Sequence, residues 1–183
     1  MYIYYLNQDF LFFRICVPKY SENTDVYNLA EAIGTFKTLL RIGGDELTRL
    51  LSYWDHDVRA VTLFAPTDEA FAKLPEGVLD SLPREEIIRI VSRHVVNGTT
   101  ILAADVTNGP VLTASGENIS LIKDDQGGFK IRYGWNFFNV VDADFKAANG
   151  VIHVIDNFMG FFDNNVLNAK LNPNSQYFQN VRN

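Results

Sequence analysis

Few side chains in this 183-residue sequence are able to do chemistry, and they are scattered. The histidines are His56, His94 and His153, and Cys16 is the single cysteine. One cysteine excludes an internal disulfide and a cysteine-based zinc site. His94 and His153 make a metal centre only if a carboxylate or a third nitrogen ligand joins them. No spacing in the sequence supplies one, so neither a metal nor a cofactor is expected. His56 stands between Asp55 and Asp57 on a polar stretch, where consecutive side chains diverge, and reads as a solvated loop histidine. Asp142 and Asp144 share a face if their segment is extended. General acid–base work would require one raised pKa, and the pair reads as a solvated turn. No nucleophile lies beside a base. The expectation is a protein without enzymatic activity. A hydrolase or small-molecule site at His94 or His153 is a competing reading that needs a pocket with converging polar groups.

Composition agrees. Hydrophobic residues make up 47% and charged residues 21%, as in a globular domain with a real core. The net charge of −6, with no Lys/Arg cluster, argues against nucleic acid as a partner. No apolar run is long enough for a transmembrane helix. Residues 1–24 are apolar and aromatic, but Asp9 and Arg14 interrupt them and they lack the layout of a signal peptide. They read as an N-terminal arm whose Tyr4, Tyr5, Phe12 and Phe13 pack on the domain or dock a partner.

The most strongly specified element runs from Thr62 to Pro75. An apolar strand, Val61–Ala65, ends at Pro66. Thr67 is placed to cap a short helix, with Asp68 and Glu69 in its first turn and Ala70, Phe71 and Leu74 as its apolar stripe. Upstream, Asp25, Thr35 and Asp45 are placed to cap three short helices separated by glycine. Downstream, Pro83 opens a helix expected to run from Arg84 to Val96, with Ile87, Ile88, Val91 and Val95 inward and Arg84, Glu85, Arg89 and Arg93 outward. From Thr99 the period changes to two. Short strands are expected at 101–103, 110–113, 119–123, 129–133, 138–141 and 151–155, parted by Asn-Gly, Ser-Gly and Asp-rich turns. Helices followed by strands make an α+β pattern. Residues 161–183 form an asparagine-rich C-terminal tail.

Two blocks then stand out together: Thr62, Phe64, Ala65, Pro66, Thr67, Asp68 and Phe71 in the first, and Asn149, Gly150, Val151, Ile152, His153, Ile155 and Asp156 in the second. In this order, with His94-Val95-Val96 between them, the sequence resembles the fasciclin-like (FAS1) domain family over roughly residues 25–160. The resemblance implies a wedge of about seven short strands with a layer of short helices, the two blocks lying close together. It also implies a cell-adhesion or extracellular-matrix module that binds proteins, secreted or in the lumen of a membrane-bounded compartment. The family's Tyr-His or Phe-His pair, linked to integrin binding, is Arg93-His94 here, a substitution that adds charge where the family has a ring. Both are candidate partner contacts, though His94 reads first as a core-edge histidine holding backbone carbonyls. Asn97 and Asn118 begin N-glycosylation triplets. The competing reading from the extensions is an accessory subunit of a larger assembly, docked through arm and tail.

Overall fold

A computed structural model describes residues 23–52 and 60–160. The arm with Tyr4, Tyr5, Phe12 and Phe13, the histidine at position 56 and the tail lie outside the described residues.

Three short helices come first: α1 (Val26–Ile33), α2 (Lys37–Gly43) and α3 (Asp45–Leu51). Strand β1 (Val61–Pro66), α4 (Asp68–Ala72) and α5 (Arg84–Arg93) follow. The rest is β: β2 (Val95–Asn97), β3 (Gly109–Leu112), β4 (Asn118–Lys123), β5 (Phe129–Tyr133), β6 (Asn136–Ala147) and β7 (Gly150–Ile155). The seven strands form one sheet in the order β2-β1-β7-β6-β5-β4-β3. The expected α+β wedge with a layer of short helices is the fold observed.

The two sequence blocks are neighbours at its centre. β1 and β7 pair in parallel from Val61 opposite Gly150 to Pro66 opposite Ile155. Both strands are buried on both faces, which is why each reads as a continuous apolar run. Their alternate side chains feed two cores. Val61, Leu63, Ala65, Ile152 and Val154 meet the helices. Phe64 and Ile155 point the other way, into a core with Ile119, Leu121, Ile131 and Phe138 from the outer strands. Gly150 is required at the start of this ladder, because a Cβ there would overlap the Val61 carbonyl oxygen.

β6 joins the two parts of the sheet. Residues 136–139 pair with β5, and the run from Val140 to Ala147 pairs with β7. The register slips twice between Val140 and Phe145, and Asp144 adopts a left-handed φ of 64°. A bulge of this kind bends and twists the strand. Asp142 and Asp144 therefore flank a break in register, and the expected solvated turn is instead the middle of the longest strand.

Several local expectations are corrected. Asp25 and Thr67 cap α1 and α4 as read, accepting from the backbone N–H groups of Asn28 and Ala70. Thr35 does not cap α2. Its carbonyl accepts from the Asp68 N–H, and the Asp68 carboxylate accepts from Thr38 N–H at 2.8 Å in the first turn of α2. Asp45 is the first residue of α3 and makes no cap. Arg84 turns back to the C-terminal end of α2, donating to the carbonyls of Ile42 and Gly43 at 2.7 and 3.2 Å. α5 stops at Arg93, and Val95–Asn97 leave it as an antiparallel strand beside β1. The β-branched pair Val95-Val96 favours this. The expected strand at 101–103 is a loop entering a short 3₁₀ turn, Ala103–Asp105.

Gly150→Ala should lower the unfolding free energy by about 1–3 kcal/mol, the range for forcing atoms into a packed interior. Thr67→Ala should cost about 1 kcal/mol, the worth of a lost helix cap. Urea unfolding followed by circular dichroism measures both. A neutral Gly150→Ala would contradict the close β1–β7 approach.

Candidate functional site

Arg93 and His94 stand at the junction of α5 and β2, and both side chains point inward, 1% and 0% exposed. Arg93 was expected on the outer face of α5. It is buried because partners receive its charge. Its Nε donates to Glu117 Oε2 at 2.6 Å and its Nη1 to the Met159 carbonyl at 2.9 Å, while the guanidinium lies 4.5 Å from the centre of the Tyr133 ring. Partial burial pushes the Glu117 carboxyl up. The hydrogen bond and charge of Arg93, aided by Tyr133 and Arg89, outweigh that and hold it below the ordinary range. Burial, with Glu117 alongside, raises Tyr133 despite the opposing charge of Arg93.

His94 holds the other end of the same peptide unit. Met159 N–H donates to His94 Nε2 at 3.0 Å. Nδ1 must then carry the ring proton, which it gives to the Ile90 carbonyl at 2.9 Å. The two consecutive residues thus grip Met159 at both its N–H and its C=O. Phe158 completes the arrangement, stacking on the His94 ring at 5.1 Å and packing against Phe71 at 4.6 Å.

His153 does similar work on the opposite side of β1. Asp144 N–H donates to its Nδ1 at 3.3 Å, so Nε2 carries the proton and gives it to the Ile101 carbonyl at 2.7 Å. The Thr62 hydroxyl donates to Thr99 C=O and accepts from Ile101 N–H, and the Asp144 carboxylate accepts from Ala103 N–H. Three side chains therefore satisfy the backbone from Thr99 to Ala103, which explains why that apolar stretch is not a strand. The Asp144 carboxylate lies 3.9 Å from His153 Nδ1, but that nitrogen already accepts from the Asp144 backbone. The pair is not a base and its orienting acid.

Asn149 is the third buried polar joint. Its Oδ1 accepts from Val26 N–H at 2.8 Å and its Nδ2 donates to the Leu51 carbonyl at 2.8 Å. One side chain thereby binds the start of α1 and the end of α3 to the start of β7. Asp156, at the far end of β7, accepts from both the backbone N–H and the side-chain amide of Asn139. Among the described residues there is no group of three metal-ligating side chains. Two open depressions lie among the described residues, one beside Lys146–Gly150 and one between α2 and residues 74–80. Neither contains His94 or His153. Asn97 and Asn118 are both exposed.

Sequence reasoning missed the exposed apolar side chains. Trp135 is 97% exposed, and Leu112, Phe137 and Val141 are each more than half exposed. The signal was present in the alternation of β6, where Phe137 and Val141 fall opposite in phase to the buried Phe138. A single aromatic in such a run does not announce which face it takes.

Burial lowers the pKa of His94 from 6.5 to about 3, and the neighbouring Arg93 charge adds to this against the Ile90 carbonyl. Burial also lowers His153, against its bond to Ile101 and the Asp144 charge. Both rings are neutral in the folded chain, and the unfolded chain binds the proton more readily. The stabilisation is complete above the unfolded value of 6.5 and is lost as pH falls from there towards the folded value. By about pH 5 the loss from His94 should reach about 2 kcal/mol. Urea midpoints at about pH 7 and pH 5 measure it, and His94→Gln should be less stable at neutral pH but flatter across this window. An equally steep variant would sink the assignment.

Comparison with known proteins gives the arrangement its place. The fasciclin domain family model matches residues 26–160. The chain is 43% identical over 100 residues to Protein sll1483 of Synechocystis, covering 52% of each. It is 33% identical over 110 residues to the pig transforming growth factor-beta-induced protein ig-h3, covering 57% of this chain and 15% of that protein. It is 34% identical over 102 residues to human periostin, covering 52% of this chain and 11% of that protein. It thus spans about half the length of the first of these relatives and far less of the others. The fold matches a solved FAS1 domain pair from the insect cell adhesion molecule fasciclin I, with a TM-score of 0.58 at 16% identity, covering 79% of this chain and 52% of that one. With the two signature blocks paired at the centre of the sheet, the chain belongs to the fasciclin domain family.

Proposed function

We propose that this chain is a non-enzymatic protein-binding module of the cell-adhesion and extracellular-matrix kind, working outside the cell or in the lumen of a membrane-bounded compartment. The observation that carries the reading is the division of labour between inside and surface. His94 and His153 have both ring nitrogens engaged by backbone groups, and Arg93 and Asp144 also bind backbone, so these groups hold loops in place. Among the described residues, Trp135, Phe137, Leu112 and Val141 are large apolar side chains left outside. Such side chains suit contact with another macromolecule better than turnover of a small one. The kinship with a cell adhesion molecule supports the same class. Among the described residues no helix is long and apolar enough to cross a membrane.

Burial of Arg93 and His94 changes their part in this reading. As candidate partner contacts they act from behind the surface, by fixing Met159. The exposed Asn97 and Asn118 suit glycan attachment if the chain passes through a secretory pathway.

Solid-phase assay of the purified full chain against immobilised matrix proteins and intact cells tests the proposal. Saturable binding that heat-unfolded chain does not show is the expected result. Absence of binding to every protein and cell surface tried would overturn it.

A further inference from the structure

The β5–β6 hairpin presents an outward face with an unusual mixture of groups. Residues two apart on a strand share a face, so Lys130 and Arg132 on β5 lie with Phe137 and Asn139 on β6, and Val141, at the bulge, is also exposed. The register confirms it, with Lys130 opposite Asn139 and Arg132 opposite Phe137. Lys130 Nζ lies 5.2 Å from the centre of the Phe137 ring. At the tip, Gly134 has a φ of +58° and takes the first corner of a two-residue turn, with Trp135 as the second. That turn holds Trp135 97% exposed.

We propose that this face, from Lys130 and Arg132 across Phe137 and Val141 to Trp135 at the tip, is a docking surface for an acidic segment of a partner protein. The inference rests on the protein-binding reading above and names the surface and the chemistry of its partner. Charge makes the first argument. The chain carries 22 acidic and 16 basic residues, yet the outward positions of β5 and the paired part of β6 hold two cations and no carboxylate. Asp142 and Asp156 lie at the β7 edge of the same face, so its cationic part is the β5 side with Lys130 and Arg132. A positive face on an acidic protein selects and steers an anionic partner.

The aromatic groups make the second argument. The few residues that dominate binding energy at protein interfaces are enriched in tryptophan, tyrosine and arginine, and aromatics ringed by polar groups form interface cores. At 97% exposed, Trp135 has almost no contact with the described residues. The same charge disfavours a symmetric pairing with a second copy, which would bring Lys130 and Arg132 towards their own counterparts. Two cations are few for an anionic membrane, where each contributes modestly and the chain's net charge opposes approach.

The probe is a fluorescent peptide of alternating glutamate and leucine, with a lysine–leucine peptide of equal length as control, added to the full chain. Anisotropy should show binding of the acidic peptide alone, weakening as salt rises. Arg132→Glu and Trp135→Ala should each weaken it by about ten-fold or more with unchanged thermal melting, since both side chains lie outside the core. Equal binding of the two peptides, or variants that bind as the parent does, would overturn the proposal. So would loss in the variants of binding to phosphatidylserine vesicles or polygalacturonate, or of self-association, while the acidic peptide stays unbound. The cell and matrix assay separates the two proposals. Undiminished binding by the variants there would discard this surface and leave the module standing, whereas a parent chain that binds nothing would discard the module itself.

Discussion

Everything in this fold depends on how closely β1 and β7 approach. They are the parallel pair in an otherwise antiparallel sheet, and they come from chain segments more than eighty residues apart. The ladder begins where the Val61 N–H donates to the Asn149 carbonyl, beside a glycine that leaves room for the Val61 oxygen. Asn149 then uses its side chain to tie α1 and α3 to the same spot. Strand pairing, helix docking and the closure of two cores meet within two residues. A parallel pair that closes so long a loop has a large entropic cost before any contact compensates it. Concentrating hydrogen bonds and apolar burial at the junction is the physical answer.

Around that ladder, buried polar side chains do what regular structure cannot. Irregular segments cross the faces of the central strands, and their backbone groups need partners out of water. Thr62, His153 and Asp144 satisfy the segment after β2, while Arg93 and His94 hold Met159. Neutral histidine suits such a place, since one ring nitrogen gives a hydrogen bond and the other takes one. The same burial that makes the rings useful as joints depresses their pKa and keeps them neutral near pH 7. Arg93 is a costlier device. A buried guanidinium needs its charge answered, and Glu117, Tyr133 and the Met159 carbonyl answer it.

The caps show how far local reading reaches. Asp25 and Thr67 act within their own first turns, and their roles were readable from type and position. Thr35 and Asp45 had the same residue types in similar places and do not cap with their side chains. The N-terminal end of α2 is served by Asp68 from thirty residues away, and its C-terminal end by Arg84 from more than forty. A neighbour that satisfies the same N–H removes the need for the local side chain. Strand length was misjudged for a related reason. β6 runs through a bulge at Asp144, and no alternating pattern survives a slip of register.

By itself the sequence determined the α+β class, the two signature blocks, the strand-to-helix corner at Pro66-Thr67 and the turn glycines. These are set by period, by proline's missing N–H and by caps that act within a few residues. Tertiary structure decided that Arg93 and His94 point inward and that His153 meets Ile101. It also decided that Trp135 and Phe137 stay outside with Lys130 and Arg132. The reason is the same in each case. Whether a polar group can be buried, or an apolar one left exposed, depends on what long-range pairing places beside it, and no local pattern carries that information.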